Sequence, residues 1–293
     1  MATGAGRRGM TSPGAALALL GERTLPHLPA VFDRPVALAL GSIAYRVSAG
    51  ARANVRENLS IVAPERSASD RERLVRATFV EQVRHYIELF RIARWDHETI
   101  RRRVAVLGWE HVVGAYERGN GVVFASAHIG PISVCGQIFV AYGYDVTLPV
   151  ERETGELSRV INRLRRRMGL TLVYTGSALG IHRVLKRGGA LGLLADRAVT
   201  GVGERVLFFG REALLPSAHV ALALRTGASL VPGFAHHEGG AMRAIFEPEL
   251  MLRRTGDHEA DLRDGVQRWA ELLEKHVRVA PEQWSVFEAF WRR

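Results

Sequence analysis

His128 is the residue of this chain best placed for acid–base chemistry. It ends the segment Gly121–His128, whose apolar run from Val122 to Ala127 predicts a buried strand. Gly130 then permits a sharp turn, and Pro131 suits the beginning of a helix. Because open α/β folds bind ligands beyond the carboxyl ends of their strands, this position suits a catalytic histidine. A histidine that only packs at the end of a strand is the alternative.

Asp196 and Arg197 occupy an equivalent place after another apolar run, from Ala190 to Ala195. If the two runs are neighbouring parallel strands, these polar groups and His128 meet in one cleft. Gly203, shortly beyond them, allows the backbone to approach a ligand closely. The pattern therefore predicts a shared site, and a purely structural ion pair is the alternative.

A third polar site follows the predicted strand Val146 to Val150 and contains Arg152. The helix after it carries Arg159, Arg163 and Arg166 at spacings of four and three residues, so these arginines share one face. Guanidinium groups bind phosphate through paired hydrogen bonds, which would make this face a dock for a phosphate-bearing ligand. A solvated basic face is the alternative interpretation.

Strands and helices alternate from residue 104 to the carboxyl-terminal region. The predicted strands are residues 104–107, 122–127, 146–150, 170–174, 190–195, 205–209, 229–235 and 242–246, and the predicted helices are residues 110–117, 156–168, 177–186 and 261–277. This alternation predicts the α/β class, with a mostly parallel central sheet flanked by helices. We expect residues 1–293 to form one domain, with a helical part over residues 1–100 and an α/β core over residues 101–293.

Residues 50–101 have the periodicity of helices. Ser69 and Glu72 have the spacing of a capping box, which predicts that a helix begins there. Asn54 and Asn58 lie in the preceding helical segment, and we expect them on its solvated face.

The amino-terminal segment is predicted to contact a membrane without crossing it. No uninterrupted apolar stretch reaches the ~20 residues that span a bilayer. Residues 35–45 are apolar, with Arg34 and Arg46 beside their ends, which suits an interfacial or a buried helix. We therefore expect residues 13–49 to form an amino-terminal helical segment that lies at the bilayer surface.

The composition narrows the class of partner. The net charge of +10 favours anionic partners, namely nucleic acid, anionic lipid or an acidic carrier protein. No helix-turn-helix, zinc-ligand or aromatic-rich sheet signature is present, so we expect no nucleic-acid binding. The single cysteine, Cys135, excludes an intrachain disulfide and a cysteine metal cluster. A serine hydrolase is also disfavoured, because the chain has no Gly-x-Ser-x-Gly nucleophile elbow.

Six short motifs, in their order and spacing, resemble one known family. They are Asn54–Leu59, Gly121–His128, Leu193–Arg197, Phe208–Arg211, Ala223–Ala228 and Pro281–Trp284. The chain resembles the bacterial lipid A biosynthesis acyltransferases, a family that includes phosphatidylinositol mannoside acyltransferases. The resemblance implies a peripheral or monotopic enzyme at the cytoplasmic face of the inner membrane. Such an enzyme moves a fatty acyl group from acyl-CoA or an acyl carrier protein to a hydroxyl of a glycolipid, without a metal or an organic cofactor.

The resemblance also implies roles for individual residues. His128 would be the general base that takes the proton of the acceptor hydroxyl, a contribution of about 10²–10⁴-fold. The chemistry of this reaction also requires backbone N–H groups or a cation to stabilise the oxyanion on the thioester carbonyl, and the candidates are the turn from Gly130 to Ser133 and Arg152. The residues predicted to bind substrate are Gly130, Arg152, Arg166, Arg197 and Arg211.

The chain differs from the family pattern at one position. The family has a carboxylate five residues after the histidine, where it orients the imidazole, whereas this chain has Ser133. Our hypothesis is that Ser133 is a weaker partner of His128. In one alternative another carboxylate orients His128, with Asp196 the first candidate and Glu151 the second. In the other, the protein keeps a lipid-binding fold without the reaction.

Overall fold

The computed structural model describes residues 20–151, 153, 155–199 and 201–292. Its amino-terminal part consists of helices α1 (Asp33–Val47), α2 (Ala49–Val62), α3 (Ala68–Ile92) and α4 (His97–Arg103), preceded by 3-10 turns at Leu25–His27 and Ala30–Phe32. The expected helical character of residues 50–101 is therefore confirmed. Helix α3 is long because its apolar residues recur at helical spacing, and Val75 and Phe79 pack against Val55 and Leu59 of α2.

The predicted start of α3 was wrong by two residues. Ser67 is the cap, and its hydroxyl accepts a hydrogen bond of 3.1 Å from the backbone N–H of Asp70. Glu72 does not fold back onto the helix end, because its carboxylate binds Arg56 of α2 at 2.7 Å. An interhelical ion pair has thus replaced the local capping box.

The α/β part contains the remaining elements. They are β1 (Val104–Leu107), α5 (Trp109–Glu117), β2 (Val122–Ser126), α6 (Ser133–Ala141), β3 (Thr147–Val150), α7 (Glu156–Arg167), β4 (Thr171–Tyr174), α8 (Ala178–Lys186), β5 (Ala190–Leu194), β6 (Glu204–Phe208), β7 (Arg211–Leu215), α9 (Ala218–Thr226), β8 (Ser229–Glu238), β9 (Ala241–Phe246), α10 (His258–Val279) and 3-10 turns at Pro281–Gln283 and Phe290–Arg292. Every predicted strand and helix is present, with ends that shift by a few residues. No range was predicted for β7, α6 or α9, although Pro131 indicated that a helix begins near α6.

A seven-stranded sheet forms the centre of the α/β part, in the order β1-β9-β8-β2-β5-β3-β4. The β8–β9 pair is antiparallel and the other pairings are parallel, so the predicted mostly parallel sheet flanked by helices is confirmed. Strands β6 and β7 form a separate antiparallel hairpin. The hairpin escaped prediction because β7 is short and begins with charged residues, a weak strand pattern.

Strand β2 lies inside the sheet, and both of its faces are buried. Its side chains alternate, so Val123 and Ala125 pack into the core that contains Trp269 of α10. Val122 and Phe124 pack into the core on the other face, beside α6. This double burial explains the continuous apolar run before His128, because a strand covered on both faces has no solvated side.

Helix α1 is partly buried and partly exposed. Gly41 packs on α3 so closely that an added Cβ would lie 2.6 Å from the Cα of Val80. On other sides of the helix Leu38, Ile43 and Val47 are exposed. No helix among the described residues is long and apolar enough to cross a membrane. Residues 13–19 lie outside the described residues, and membrane contact of the segment 13–49 stays a prediction.

Candidate active site

His128 and Asp196 meet because β2 and β5 are adjacent, parallel and in register. The register pairs Ser126 with Leu194, so each polar residue lies two positions beyond a paired strand end. The backbone N–H of Ala195 donates to the carbonyl of Ser126 over 2.8 Å, which continues the alignment past the strands. Sheet register therefore brings together two residues that are 68 positions apart.

The two side chains form a close pair. The His128 Nδ1 and the Asp196 Oδ1 are 2.7 Å apart, and the His128 backbone N–H donates to Oδ2 over 3.1 Å. The indole N–H of Trp284 donates to the same Oδ2 over 3.1 Å, and Asp196 is fully buried. Burial alone would raise the pKa of Asp196, but the charge of His128 and these hydrogen bonds hold it below its ordinary value.

The pairing determines the tautomer of the imidazole. An ionised carboxylate can only accept, so Nδ1 of His128 carries the proton and Nε2 of the neutral ring is an acceptor. The His128 side chain is 31% exposed and lines a cavity, whereas Asp196 lies behind it. The carboxylate holds the ring through Nδ1, and Nε2 has no hydrogen-bond partner among the described residues. A general base needs this arrangement.

Ser133 is not the partner of His128 in this structure. It is the first residue of α6 and lines the cavity, but its hydroxyl makes no hydrogen bond within the part of the chain that the structure describes. Asp196 already occupies Nδ1, because β5 is the direct neighbour of β2. Glu151, the second alternative, is exposed at the end of β3, which β5 separates from β2.

The segment 281–290 holds the turn that carries His128. Gly130 donates its N–H to the Gln283 carbonyl over 3.0 Å, and the His128 carbonyl accepts from the Ser285 N–H over 2.8 Å. Gly130 has a φ of +52°, and an added Cβ would lie 2.6 Å from the Ala235 carbonyl oxygen, so only glycine fits here. We call residues 281–290 the C-terminal strap.

Asn54 and Asn58 attach the C-terminal strap to α2. The buried Asn58 amide donates to the carbonyls of Val286 at 3.2 Å and Glu288 at 2.8 Å, and its oxygen accepts from the Phe290 N–H at 3.1 Å. Asn54 donates to the Phe287 carbonyl at 3.0 Å. The expectation of a solvated face was therefore wrong. The signal was present in the sequence, because both asparagines share a helix face with the apolar residues of α2.

The cavity in front of His128 has a volume of about 470 Å³. Much of its wall is apolar and includes Leu89, Phe139, Leu148, Ile161, Met168 and Leu170. Its polar lining includes His85, His128, Arg165, Arg197, Ser285 and Glu288. The cavity is thus of a size and character that suit a small apolar ligand with a polar end.

The predicted substrate-binding residues divide between cavity and surface. Gly130 and Arg197 line the cavity, and the Nε of Arg197 is 2.5 Å from Oε1 of Glu288. Arg166 is exposed and lies 3.8 Å from a carboxylate oxygen of Glu153. Arg211 is exposed at the first position of β7 and does not line the cavity, because β6 and β7 form a hairpin outside the main sheet.

The predicted arginine face of α7 points away from the cavity. Arg159 and Arg163 are paired with carboxylates, at 3.7 Å from Glu156 and 2.5 Å from Glu22 respectively. The structure therefore favours the solvated-face interpretation for these residues. Arg152 lies outside the described residues, so its predicted role stays a prediction.

His85 of α3 is a cavity residue that the sequence analysis missed. Burial lowers its pKa to about 4, so the ring is neutral. The signal was its spacing, because Gln82, Tyr86 and Leu89 line the same cavity from neighbouring turns of α3. No cluster of three or more metal-ligating side chains occurs among the residues that the structure describes.

Comparison with known proteins gives consistent matches along most of the chain. The family model described as Bacterial lipid A biosynthesis acyltransferase matches residues 10–293. The phosphatidylinositol mannoside acyltransferase of Mycolicibacterium smegmatis is 27% identical over 253 residues, which cover 84% of this chain and 82% of that protein. The Mycobacterium tuberculosis H37Rv protein of the same name is 27% identical over 251 residues, covering 83% and 78%. Lipid A biosynthesis acyltransferase 1 of Shigella flexneri is 25% identical over 279 residues, covering 93% and 84%.

Proposed function

Because this chain belongs to the bacterial lipid A biosynthesis acyltransferase family, we propose that it transfers a fatty acyl group to a hydroxyl of a glycolipid. The proposed donor is a thioester, either acyl-CoA or an acyl carrier protein. The proposed acceptor class follows from the names of the relatives, which act on phosphatidylinositol mannoside or in lipid A biosynthesis. The observation that carries the proposal is the His128–Asp196 pair, at 2.7 Å, in the wall of a largely apolar cavity.

In the proposed reaction Nε2 of His128 takes the proton of the acceptor hydroxyl as its oxygen attacks the thioester carbonyl. Asp196 stabilises the imidazolium that forms, because its charge lies against Nδ1. The tetrahedral intermediate then expels the thiolate, and the imidazolium returns the proton to the sulfur. Ester and free thiol are the products, so no further reactant is needed.

The oxyanion of the intermediate needs hydrogen-bond donors or positive charge. Helix α6 begins at Ser133, in the cavity wall that also contains His128. The amino end of a helix carries a partial positive charge, so it would stabilise the oxyanion. Ser133 would then contribute through its position at the helix end, and Arg152 remains the second proposed donor.

The apolar part of the cavity would hold the acyl chain. Phe139, Leu148 and Ile161 line it from α6, β3 and α7, so an acyl chain would be enclosed by several elements. Burial of each methylene group contributes about 0.8 kcal/mol, which would anchor the donor with its thioester near His128.

We further propose that the protein works as a peripheral or monotopic protein at the cytoplasmic face of the inner membrane. Large apolar side chains are exposed along the amino-terminal segment, namely Leu20, Leu28, Val31, Phe32, Leu38, Ile43 and Val47. Exposed apolar groups of this density mark an interaction surface, and a lipid surface is what a glycolipid acyltransferase must reach.

The test is acyl transfer by the purified protein. Palmitoyl-CoA and phosphatidylinositol mannoside in mixed micelles should give free thiol and an acceptor heavier by one acyl group, as measured by mass spectrometry. The His128→Ala variant should fold and lack activity. Hydrolysis of soluble esters without an acceptor would favour a hydrolase, and lipid binding without any transfer would favour the non-catalytic alternative.

A further inference from the structure

Arg165 lies on the cavity face of α7. It follows Ile161 by four residues and precedes Met168 by three, and all three residues line the cavity. Arg166 and Arg167 are exposed on other faces of the helix, although they are the next residues in sequence. Arg165 is therefore an arginine on the apolar side of an amphipathic helix.

Arg165 has no carboxylate partner among the residues that the structure describes. Its guanidinium donates one hydrogen bond of 3.2 Å, from Nη1 to the amide oxygen of Asn162. The other arginine of the cavity, Arg197, is paired with Glu288 at 2.5 Å. Arg165 thus adds an uncompensated positive charge to the cavity wall.

The side chain of Arg165 is partly buried and has lost part of its hydration. A guanidinium that is withdrawn from water needs an anion or several acceptors to replace its hydration, and Asn162 supplies one acceptor. Burial lowers the pKa of Arg165, which reflects the same loss of solvation. The cation remains protonated, since arginine does not lose its proton in proteins.

We propose that Arg165 forms an anion subsite that binds a phosphate ester of a substrate inside the cavity. Guanidinium binds phosphate through two parallel hydrogen bonds, and the pairing would compensate this partly buried charge. The proposal rests on the proposed acyl transfer, in which two substrates carry a phosphate ester. They are the phosphopantetheine arm of the thioester donor and the phosphodiester of a phosphatidylinositol-based acceptor.

The experiment uses the full-length protein and four variants. Arg165→Gln removes the charge, and Arg165→Lys keeps it without the two-pronged geometry. Arg167→Gln is the matched control, because it removes the same charge from an exposed position of the same helix. His128→Ala gives the catalytic baseline, and thermal unfolding of each variant monitors the fold.

Two substrate comparisons identify which phosphate is bound. The donor comparison sets palmitoyl-CoA against palmitoyl-pantetheine, which lacks phosphate. The acceptor comparison sets phosphatidylinositol mannoside against an alkyl mannoside, which also lacks it. Arg165→Gln should raise KM about ten- to a hundredfold for the phosphate-bearing substrate of one pair, with kcat nearly unchanged. The KM of the phosphate-free substrate of that pair should rise much less. Arg165→Lys should recover part of the affinity for the phosphate-bearing substrate, and Arg167→Gln should have the KM values of the parent.

Equal losses with all four substrates, or a loss in kcat alone, would show a structural role and overturn the proposal. If the parent protein transfers no acyl group, the proposed function fails and the subsite is tested by binding alone. Titration calorimetry with palmitoyl-CoA, palmitoyl-pantetheine and phosphatidylinositol mannoside then replaces the kinetics. The subsite requires that Arg165→Gln weakens binding of a phosphate-bearing ligand selectively, and unchanged affinities would refute it.

Discussion

Replacing Asp196 by Asn tests whether this carboxylate, rather than Ser133, serves His128. The change preserves the shape of the side chain and keeps an oxygen that can accept hydrogen bonds from the Trp284 indole N–H and the His128 backbone N–H. In the parent protein both nitrogens lie 3.1 Å from Oδ2 of Asp196. The change removes the negative charge that lies 2.7 Å from Nδ1. The new amide can also present N–H to the ring and so favour the wrong tautomer.

The expected loss follows from the electrostatics of the pair. Unit charges about 4 Å apart interact with about 4 kcal/mol at an effective dielectric constant of about 20. The imidazole is 31% exposed, so solvent screening reduces this value, and we take roughly 3 kcal/mol. Each 1.36 kcal/mol corresponds to tenfold, so kcat should fall by about 10²–10³-fold.

The assay measures initial rates of thiol release from palmitoyl-CoA with phosphatidylinositol mannoside as acceptor. Ser133→Ala is the matched comparison, because that hydroxyl lines the cavity without a hydrogen bond to His128 among the described residues. We expect Ser133→Ala to stay within a few fold of the parent. Ser133→Asp should give little gain, because Nδ1 is already occupied. The reasoning fails if Asp196→Asn retains nearly full kcat, or if Ser133→Ala loses more than Asp196→Asn.

Three further predictions concern stability and membrane contact. Asn58→Ala leaves three backbone groups of the C-terminal strap without their hydrogen-bond partner, so the free energy of unfolding in urea should fall by about 2–4 kcal/mol. Asn54→Ala removes one hydrogen bond, so it should lower the free energy of unfolding by less than half of that amount. Burial lowers the pKa of His237, but its ion pair with Glu81 and its hydrogen bond with Glu88 outweigh burial and raise the pKa above the ordinary value of 6.5. Protonated His237 therefore stabilises the fold fully below pH 6.5, and this stabilisation is lost as the pH rises through the raised pKa of His237. Urea titrations across this pH range should show that the parent loses stability relative to the His237→Gln variant. Anionic vesicles should retain the protein, with weaker retention at high salt, and recovery in the soluble fraction under all lipid conditions would contradict the membrane proposal.

Several features of this protein were predictable because they are encoded locally. The alternation of strands and helices follows from periodicity, which reports on whether each segment is covered on one face or on two. The place of His128 followed from the apolar run before it and from the glycine and proline after it. The family resemblance was confirmed, because the family model matches residues 10–293.

Tertiary structure alone decided which groups act on one another. The family pattern made Ser133 the candidate partner of His128, with Asp196 as the first alternative, and the register of the neighbouring strands β2 and β5 decides for Asp196. Strand order depends on the packing of the whole sheet, and no short segment encodes it. Contacts such as that between Asn58 and Val286, 228 positions apart, escape local patterns for the same reason.

The arginines of α7 show which features follow from the sequence and which depend on the tertiary structure. The sequence determined that the helix is amphipathic and rich in arginine, and its spacing grouped Arg159, Arg163 and Arg166 on one face. The apolar positions determine which face lies against the sheet, but the arginine pattern left Arg165 without an assignment. In the folded protein the apolar face packs inward, and Arg165 on this face lines the cavity, whereas Arg166 is exposed beside Glu153. The hydrophobic effect buries the apolar face as a whole. A single charged residue on that face, such as Arg165, is therefore placed in the cavity wall together with its apolar neighbours.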